Sequence, residues 1–246
     1  MKHTLLMLAL LAAAPLPAQK PSAAISAALA DPARPAADKA RDAARKPAET
    51  LAFAGIKPGD TVADFIMGGG YYTRLLSATV GPTGKVFAFQ PDEFIRFMAK
   101  YGEDQKGVAA AYANVVPITT NLHDVEFPAP VDAIITVQNY HDLHLKPFPA
   151  DTADVVNAAL FRVLKPGGTL LVIDHAAAAG SGLRDADTLH RIDSAAARAE
   201  IEKAGFKFEA ETSLLRDPAD PHTANVFDPA IRGRTDQFAY RFRKPR

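Results

Sequence analysis

The chain has 246 residues, 48% of them hydrophobic, enough for one sizeable buried core with short appendages. Lys+Arg and Asp+Glu both number 28, so no overall charge argues for nucleic acid or a membrane surface as partner. There is no cysteine, which excludes disulfides, thiolate catalysis, cysteine zinc sites and a lipoprotein anchor.

Lys2 and His3 form a basic start, Leu5 to Ala14 an apolar run, and Pro15-Leu16-Pro17-Ala18 resembles a signal-peptidase site. The run is shorter than the ~20 residues a spanning helix needs. Residues 1–18 are therefore expected to be a cleaved signal peptide. The protein would then be periplasmic or secreted, with no stable membrane insertion after cleavage.

Gln19 to Pro35 is rich in Ala and Pro and reads as a loosely held arm. Ala36 to Ala54 reads as a helix broken or kinked at Pro47, with Ala48, Leu51 and Ala52 toward a core. Lys39, Arg41, Asp42 and Arg45 are expected outside, as a solvated face or as a lid over the glycine turn that follows. Residues 19–47 thus form an arm and helix, and 48–246 the main domain.

Thr61 to Ile66 is a strand that ends in Gly68-Gly69-Gly70 and leads into a helix with Tyr72, Leu75, Leu76 and Thr79 on one face. Strand, glycine turn, helix is the opening of a nucleotide-binding α/β unit. A second strand covers Lys85 to Gln90. Asp92 to Tyr101 reads as a helix whose stripe of Phe94, Phe97, Met98 and Tyr101 is expected in the core. Strands follow at Asn114–Thr119 and at Val131–Gln138, the latter nearly continuous in apolar residues, as in a sheet buried on both faces. A helix capped by Asp151 or Thr152 stops at the turn Lys165-Pro166-Gly167-Gly168, before a fifth strand at Thr169–Asp174. A helix from Asp193 or Ser194 to Ala204, strands at Phe206–Thr212 and Gln237–Phe242, and a long polar loop between them complete the chain. The alternation describes a doubly wound α/β sheet of seven strands.

From about Ala48 to Pro245 the chain resembles the class I S-adenosylmethionine-dependent methyltransferases. Val62-Ala63-Asp64 with Gly68 and Gly70 resembles the family's first motif, and Gly84-Lys85-Val86-Phe87-Ala88 its second strand. Leu164-Lys165-Pro166-Gly167-Gly168 and Ala204-Gly205-Phe206 are two further family signatures. DFIMGGGYYT, QNYHDLH, DHAAAAGSG and HTANVFDPAIRG resemble a group of exported bacterial "predicted methyltransferases". The resemblance implies a Rossmann-like sheet, mostly parallel with an antiparallel last strand and helices on both faces. It implies S-adenosylmethionine as cofactor, with Asp64, Gly68, Gly69 and Gly70 at its methionine end and Gln90 at its ribose. Two positions depart from the pattern: Ile66 stands where the first glycine belongs, and Gln90 replaces the acid expected to hold the ribose.

The fourth strand ends in Gln138-Asn139-Tyr140-His141-Asp142-Leu143-His144, beside the transferred methyl group in the resembled family. His141, with an ordinary pKa of ~6.5, is the candidate general base, and Asn139 and Tyr140 the groups that orient a small polar substrate. Asp174-His175 ends the next strand, with Asp174 a candidate to orient a histidine. His141, His144, His175 and His190 with Asp142 or Asp174 could alternatively form a metal site. Their spacing matches no tight zinc pattern, so no metal ligand is assigned. Arg232 or Arg234 on the Leu214–Asp236 loop could meet an anionic group. The reading is methyl transfer to a small polar molecule by an exported enzyme. Its rival is a non-catalytic periplasmic binding protein on the same fold, holding a ligand or metal through its histidines. A nicotinamide enzyme fits less well, because the glycine spacing is wrong.

Overall fold

The computed structural model describes residues 20–246, so the expected signal peptide lies outside the described residues. Four helices come first: α1 (Ala23–Ala30), α2 (Ala36–Lys39), α3 (Asp42–Arg45) and α4 (Pro47–Ala54). The expected break falls at Lys46, in the left-handed region with φ 41°, and Pro47 opens the next helix, where its missing N–H costs nothing. The loosely held arm is corrected. Residues 23–30 form a helix capped by Ser22, with Ile25 and Ala28 buried in the same cluster as Leu51, Val62 and Leu75. A boundary at residue 48 therefore cuts through one continuous core.

The sheet and its covering helices follow in the order β1 (Thr61–Phe65), α5 (Tyr71–Val80), β2 (Lys85–Phe89), α6 (Asp92–Phe97), α7 (Lys100–Ala111), β3 (Val115–Ile118), β4 (Val131–Val137), α8 (Thr152–Val163), β5 (Leu164–His175), α9 (Ala186–Leu189), α10 (Ser194–Lys203), β6 (Lys207–Thr212) and β7 (Gln237–Arg243). Strand order is β3-β2-β1-β4-β5-β7-β6, parallel except for β7, which runs antiparallel to both neighbours. This is the doubly wound Rossmann-like sheet expected.

Alternate residues of each strand divide between two apolar layers. Ala63, Phe87, Ile134 and Leu170 pack with α8 and α10 residues on one face, and Val62, Val86, Ile135 and Leu171 with α1, α4 and α5 on the other. Burial on both faces explains the unbroken apolar runs of the central strands. Two segments differ from expectation. The helix after β2 stops at Phe97, because Met98 turns extended, and a second helix follows. Lys165-Pro166-Gly167-Gly168 is not a separate turn but the start of β5, where Gly167 donates to the carbonyl of Lys244 and Lys244 to that of Gly168.

The direction of strand winding reverses between β1 and β4. Open α/β sheets form their ligand crevice at the carboxyl ends of strands at such a crossover.

Candidate functional site

A cavity of about 560 Å³ lies at this crossover. Asp64, Ile66, Met67, Gly68 and Gly69 form its floor from the end of β1, and Val137, Gln138 and Asn139 from the end of β4. Ile66 sits at φ 61° and Gln138 at φ 63°, a region that side-chain-bearing residues seldom adopt. Ile66 thus takes the left-handed backbone of the glycine it replaces, at a cost of about 1–3 kcal/mol. Such strain persists only where the surroundings hold it: Asn139 Nδ2 donates to the Ile66 carbonyl at 2.8 Å, and Met67 N–H to the Phe89 carbonyl at 2.9 Å.

The three glycines have different tasks. Gly69 lines the cavity, and a Cβ there would meet nothing nearer than Asp104 at 3.8 Å. Gly70, expected to approach the cofactor, lies off the cavity wall. It opens α5 at φ 78°, and a Cβ would collide with Val108 at 2.7 Å. Gln90, expected at the ribose, is fully buried behind the turn, where its Oε1 accepts from Gly68 N–H at 2.9 Å. Glu93, one turn further on, lines the cavity instead. Asp64 is buried beneath the turn, and burial pushes its pKa up to about 6, partly offset by the Thr73 hydroxyl that donates to it at 2.6 Å.

Arg45 was expected outside. It folds over the faces of Tyr71 and Tyr72, its guanidinium carbon 4.9 and 5.8 Å from the ring centroids, and donates to Gln138 Oε1 at 2.6 Å. It lines the cavity, and among the described residues no carboxylate forms an ion pair with it. The preceding charges lock this cover to α5: Arg34 pairs with Asp42, Asp42 accepts from Tyr71, and Arg74 donates to the buried Asp38. Lys39 and Arg41 are exposed as expected, while Asp42 and Arg45 make the inner side of the segment a fixed wall of the cavity. A second correction concerns the stripe Phe94, Phe97, Met98 and Tyr101: Phe94 packs against the core as expected and also lines the cavity, Phe97 and Tyr101 line the cavity, and Phe97 and Met98 are exposed.

The far wall is histidine-rich. His141 is buried at the start of a short 3-10 turn after β4. Asp174, at the end of β5, accepts from its backbone N–H at 2.7 Å and lies 2.8 Å from its Nδ1. Nε2 lies 3.1 Å from Asp142 Oδ1 and 3.3 Å from His190 Nδ1. Burial opposes a charge on His141, but the carboxylates of Asp174 and Asp142 outweigh it and raise the pKa to about 10. The two carboxylates thus favour the charged ring, which weighs against the general-base role expected of His141. His175, also on the wall, is held neutral, since burial lowers its pKa to about 4.

Asn139 lines the cavity as expected. Tyr140 does not, because it turns into the core and shares its hydroxyl with Glu200 and Asn157. His144 pairs with the same Glu200, away from the cavity. From the loop 214–236, Val226 and Phe227 close the cavity, while Arg232 and Arg234 stay exposed outside it. That loop is fastened by Arg191, fully buried, which forks onto Asp220 at 2.8 and 3.1 Å.

Residues 43–192 match the ubiE/COQ5 methyltransferase family. The ubiquinone/menaquinone biosynthesis C-methyltransferase UbiE of Ectopseudomonas mendocina (strain ymp) is 33% identical over 131 residues, 51% of this chain and 45% of that protein. The chain spans about half the length of the curated relatives it matches. Among solved structures, a SAM-dependent methyltransferase from Aquifex aeolicus superimposes with a TM-score of 0.53 at 21% identity, covering 78% of this chain and 86% of that one. Aeropyrum pernix fibrillarin in complex with natively bound S-adenosyl-L-methionine gives 0.52 at 17% identity, covering 82% and 76%. These structural likenesses establish the fold. The family match, which takes in more than half of the sequence, establishes the lineage: the chain belongs to the ubiE/COQ5 methyltransferase family.

Proposed function

We propose that the protein transfers a methyl group from S-adenosylmethionine to a small molecule held in the cavity at the crossover. The observation that carries this reading is the bare backbone of Gly68 and Gly69 facing that cavity beneath a guanidinium, Arg45, that has no carboxylate partner among the described residues. The residues fit the cofactor. Arg45 offers a charged fork to the methionine carboxylate. The Gly68–Gly69 backbone allows close approach, Glu93 can accept from ribose hydroxyls, and Phe94, Phe97 and Tyr101 offer ring faces to a purine.

Bound S-adenosylmethionine would supply an electrophilic methyl group on its sulfonium. The protein's task is then alignment and exclusion of water. Phe148, Val226 and Phe227 form apolar walls, and Asn139, His141, His175 and His190 present polar groups at one end. The acceptor this favours is small, with a polar group directed to the histidine end. The reading includes export, supported by the basic start, apolar run and Ala18 of the N-terminal sequence.

Calorimetry with S-adenosylhomocysteine tests the reading, with NAD as control. The wild-type protein should bind the former and not the latter. Gly69→Val should abolish binding with an unchanged melting temperature, because Gly69 is outside the left-handed region and its Cβ direction is open. A folded wild-type protein that ignores S-adenosylhomocysteine would defeat the proposal.

A further inference from the structure

Three groups on the histidine wall form a closed triangle. His141 Nε2 to Asp142 Oδ1 is 3.1 Å, His141 Nε2 to His190 Nδ1 is 3.3 Å, and His190 Nδ1 to Asp142 Oδ1 is 3.8 Å. A metal bound to imidazole nitrogen and carboxylate oxygen at about 2.0–2.2 Å sets its ligand atoms about 3.0–3.4 Å apart. The two sides that meet at His141 Nε2 have that length, and the third, His190 to Asp142, is about 0.4 Å longer, so a small turn of the His190 ring would complete one face of a coordination shell.

The supporting groups fit the same purpose. Asp174 lies 2.8 Å from His141 Nδ1 and is itself fully buried, which fixes the ring so that Nε2 points at the triangle. A carboxylate behind a ligating histidine is the usual way a protein orients such a ring. His190 is held at φ 53°, with its ring against Phe227 at 4.8 Å between centroids. All three corners line the cavity, so the triangle has an open side toward it.

We propose that His141, Asp142 and His190 bind one divalent transition-metal ion, which takes the place of the His141 Nε2 proton, with the open side left for an oxygen of the acceptor molecule. Two imidazoles and one carboxylate suit ions of the Zn²⁺, Co²⁺ or Fe²⁺ kind more than Mg²⁺ or Ca²⁺. The second half of the proposal rests on the methyltransferase reading: the ion would hold and acidify a hydroxyl of the acceptor. The acceptor hydroxyl gives its proton to water, and the electron pair left on oxygen then forms the new bond to the methyl carbon. The methyl–sulfur bond breaks in the same step, and its electrons remain on sulfur as a neutral thioether.

The test is titration of metal-stripped full-length protein with Zn²⁺ by calorimetry and with Co²⁺ by its visible spectrum, on wild type, His190→Gln and Asp142→Asn. Wild type should take up one equivalent of Zn²⁺, and bound Co²⁺ should develop the spectrum of a low-coordinate site. Each variant should bind on the order of 100-fold more weakly, while the metal-free melting temperature shows that it is folded. His190 is partly exposed, so its replacement is the safer of the two for the fold. S-adenosylhomocysteine binding is measured on the same samples. If it persists where Zn²⁺ affinity is lost, the metal corner and the cofactor end are separate, and the proposal stands. If wild type binds Zn²⁺ and Co²⁺ no better than the variants, the triangle is a proton-sharing hydrogen-bond cluster and the metal proposal is overturned, whatever the cofactor result.

Discussion

Asn139, just past β4, donates through Nδ2 to the carbonyl of Ile66, just past β1, at 2.8 Å, and to that of Val137 at 2.9 Å. This one amide ties together the two strand ends that frame the crossover, and it holds the residue that takes a glycine's backbone conformation. Asn139→Ala should cost about 1 kcal/mol in urea unfolding and weaken S-adenosylhomocysteine binding several-fold. Asn139→Asp should cost more despite its nearer shape, because a carboxylate would face two carbonyl oxygens. If aspartate were tolerated better than alanine, the amide would not be holding the turn.

Asp64 makes stability depend on pH in a direction opposite to most carboxylates. Its folded pKa is raised to about 6, above the unfolded value near 3.8, so between these the native state binds more protons than the unfolded one. Stability should therefore fall as pH rises from about 4 to about 6, by on the order of 3 kcal/mol, and change no further above that. Asp64→Asn should lose this slope, so its stability relative to wild type should improve across that window. Urea midpoints of both proteins, without ligand, measure the difference. A pH-independent difference would mean that burial does not keep Asp64 protonated.

Much of this architecture was legible because it follows from periodicity. The apolar run of β4 and the 3.6-residue pattern of α5 and α8 each have one physical solution in a two-sided sheet. The site was legible only where a chain break marks it, at Gly68–Gly69 and at the polar end of β4. Amphipathicity says that Phe94, Phe97 and Tyr101 share a helix side, but it cannot tell a protein core from the wall of a ligand cavity. Arg45 read as surface because its partners, Tyr71 and Tyr72, are more than twenty residues away and hold it through ring faces that leave no local pattern. The meeting of His141 with His190 needs the left-handed turn at His190, which nothing in a sequence of that residue type announces.

If the N-terminal pattern is a signal peptide, protein recovered from the native cell envelope should begin at Gln19. Intact-mass measurement checks this directly. Replacing Ala18 with a bulky residue should block processing and leave the precursor at the membrane. Soluble cytoplasmic protein that retains Met1 would remove export from the proposal.

The last prediction isolates what Arg45 contributes. Its guanidinium faces the cavity, rests on Tyr71 and Tyr72, and donates to the side chain of Gln138, but its charge is unmatched by any carboxylate among the described residues. A ligand carboxylate at this place would gain charge-assisted hydrogen bonds from a cation already held in place by the two rings and Gln138. Arg45→Met keeps the length that covers the two rings and removes the charge. S-adenosylhomocysteine should then bind about 10–100-fold more weakly, the equivalent of roughly 1.5–3 kcal/mol for a hydrogen bond to a charged group. 5′-Methylthioadenosine, which keeps the nucleoside and lacks the amino-acid end, should bind Arg45→Met and wild type almost equally. Arg45→Lys should fall between, since it keeps the charge but not the planar fork that stacks on the rings. Equal losses for both ligands would show that Arg45 only shapes the cavity. A loss confined to 5′-methylthioadenosine would place the nucleoside, not the amino-acid end, beneath the guanidinium and reverse the orientation proposed for the cofactor.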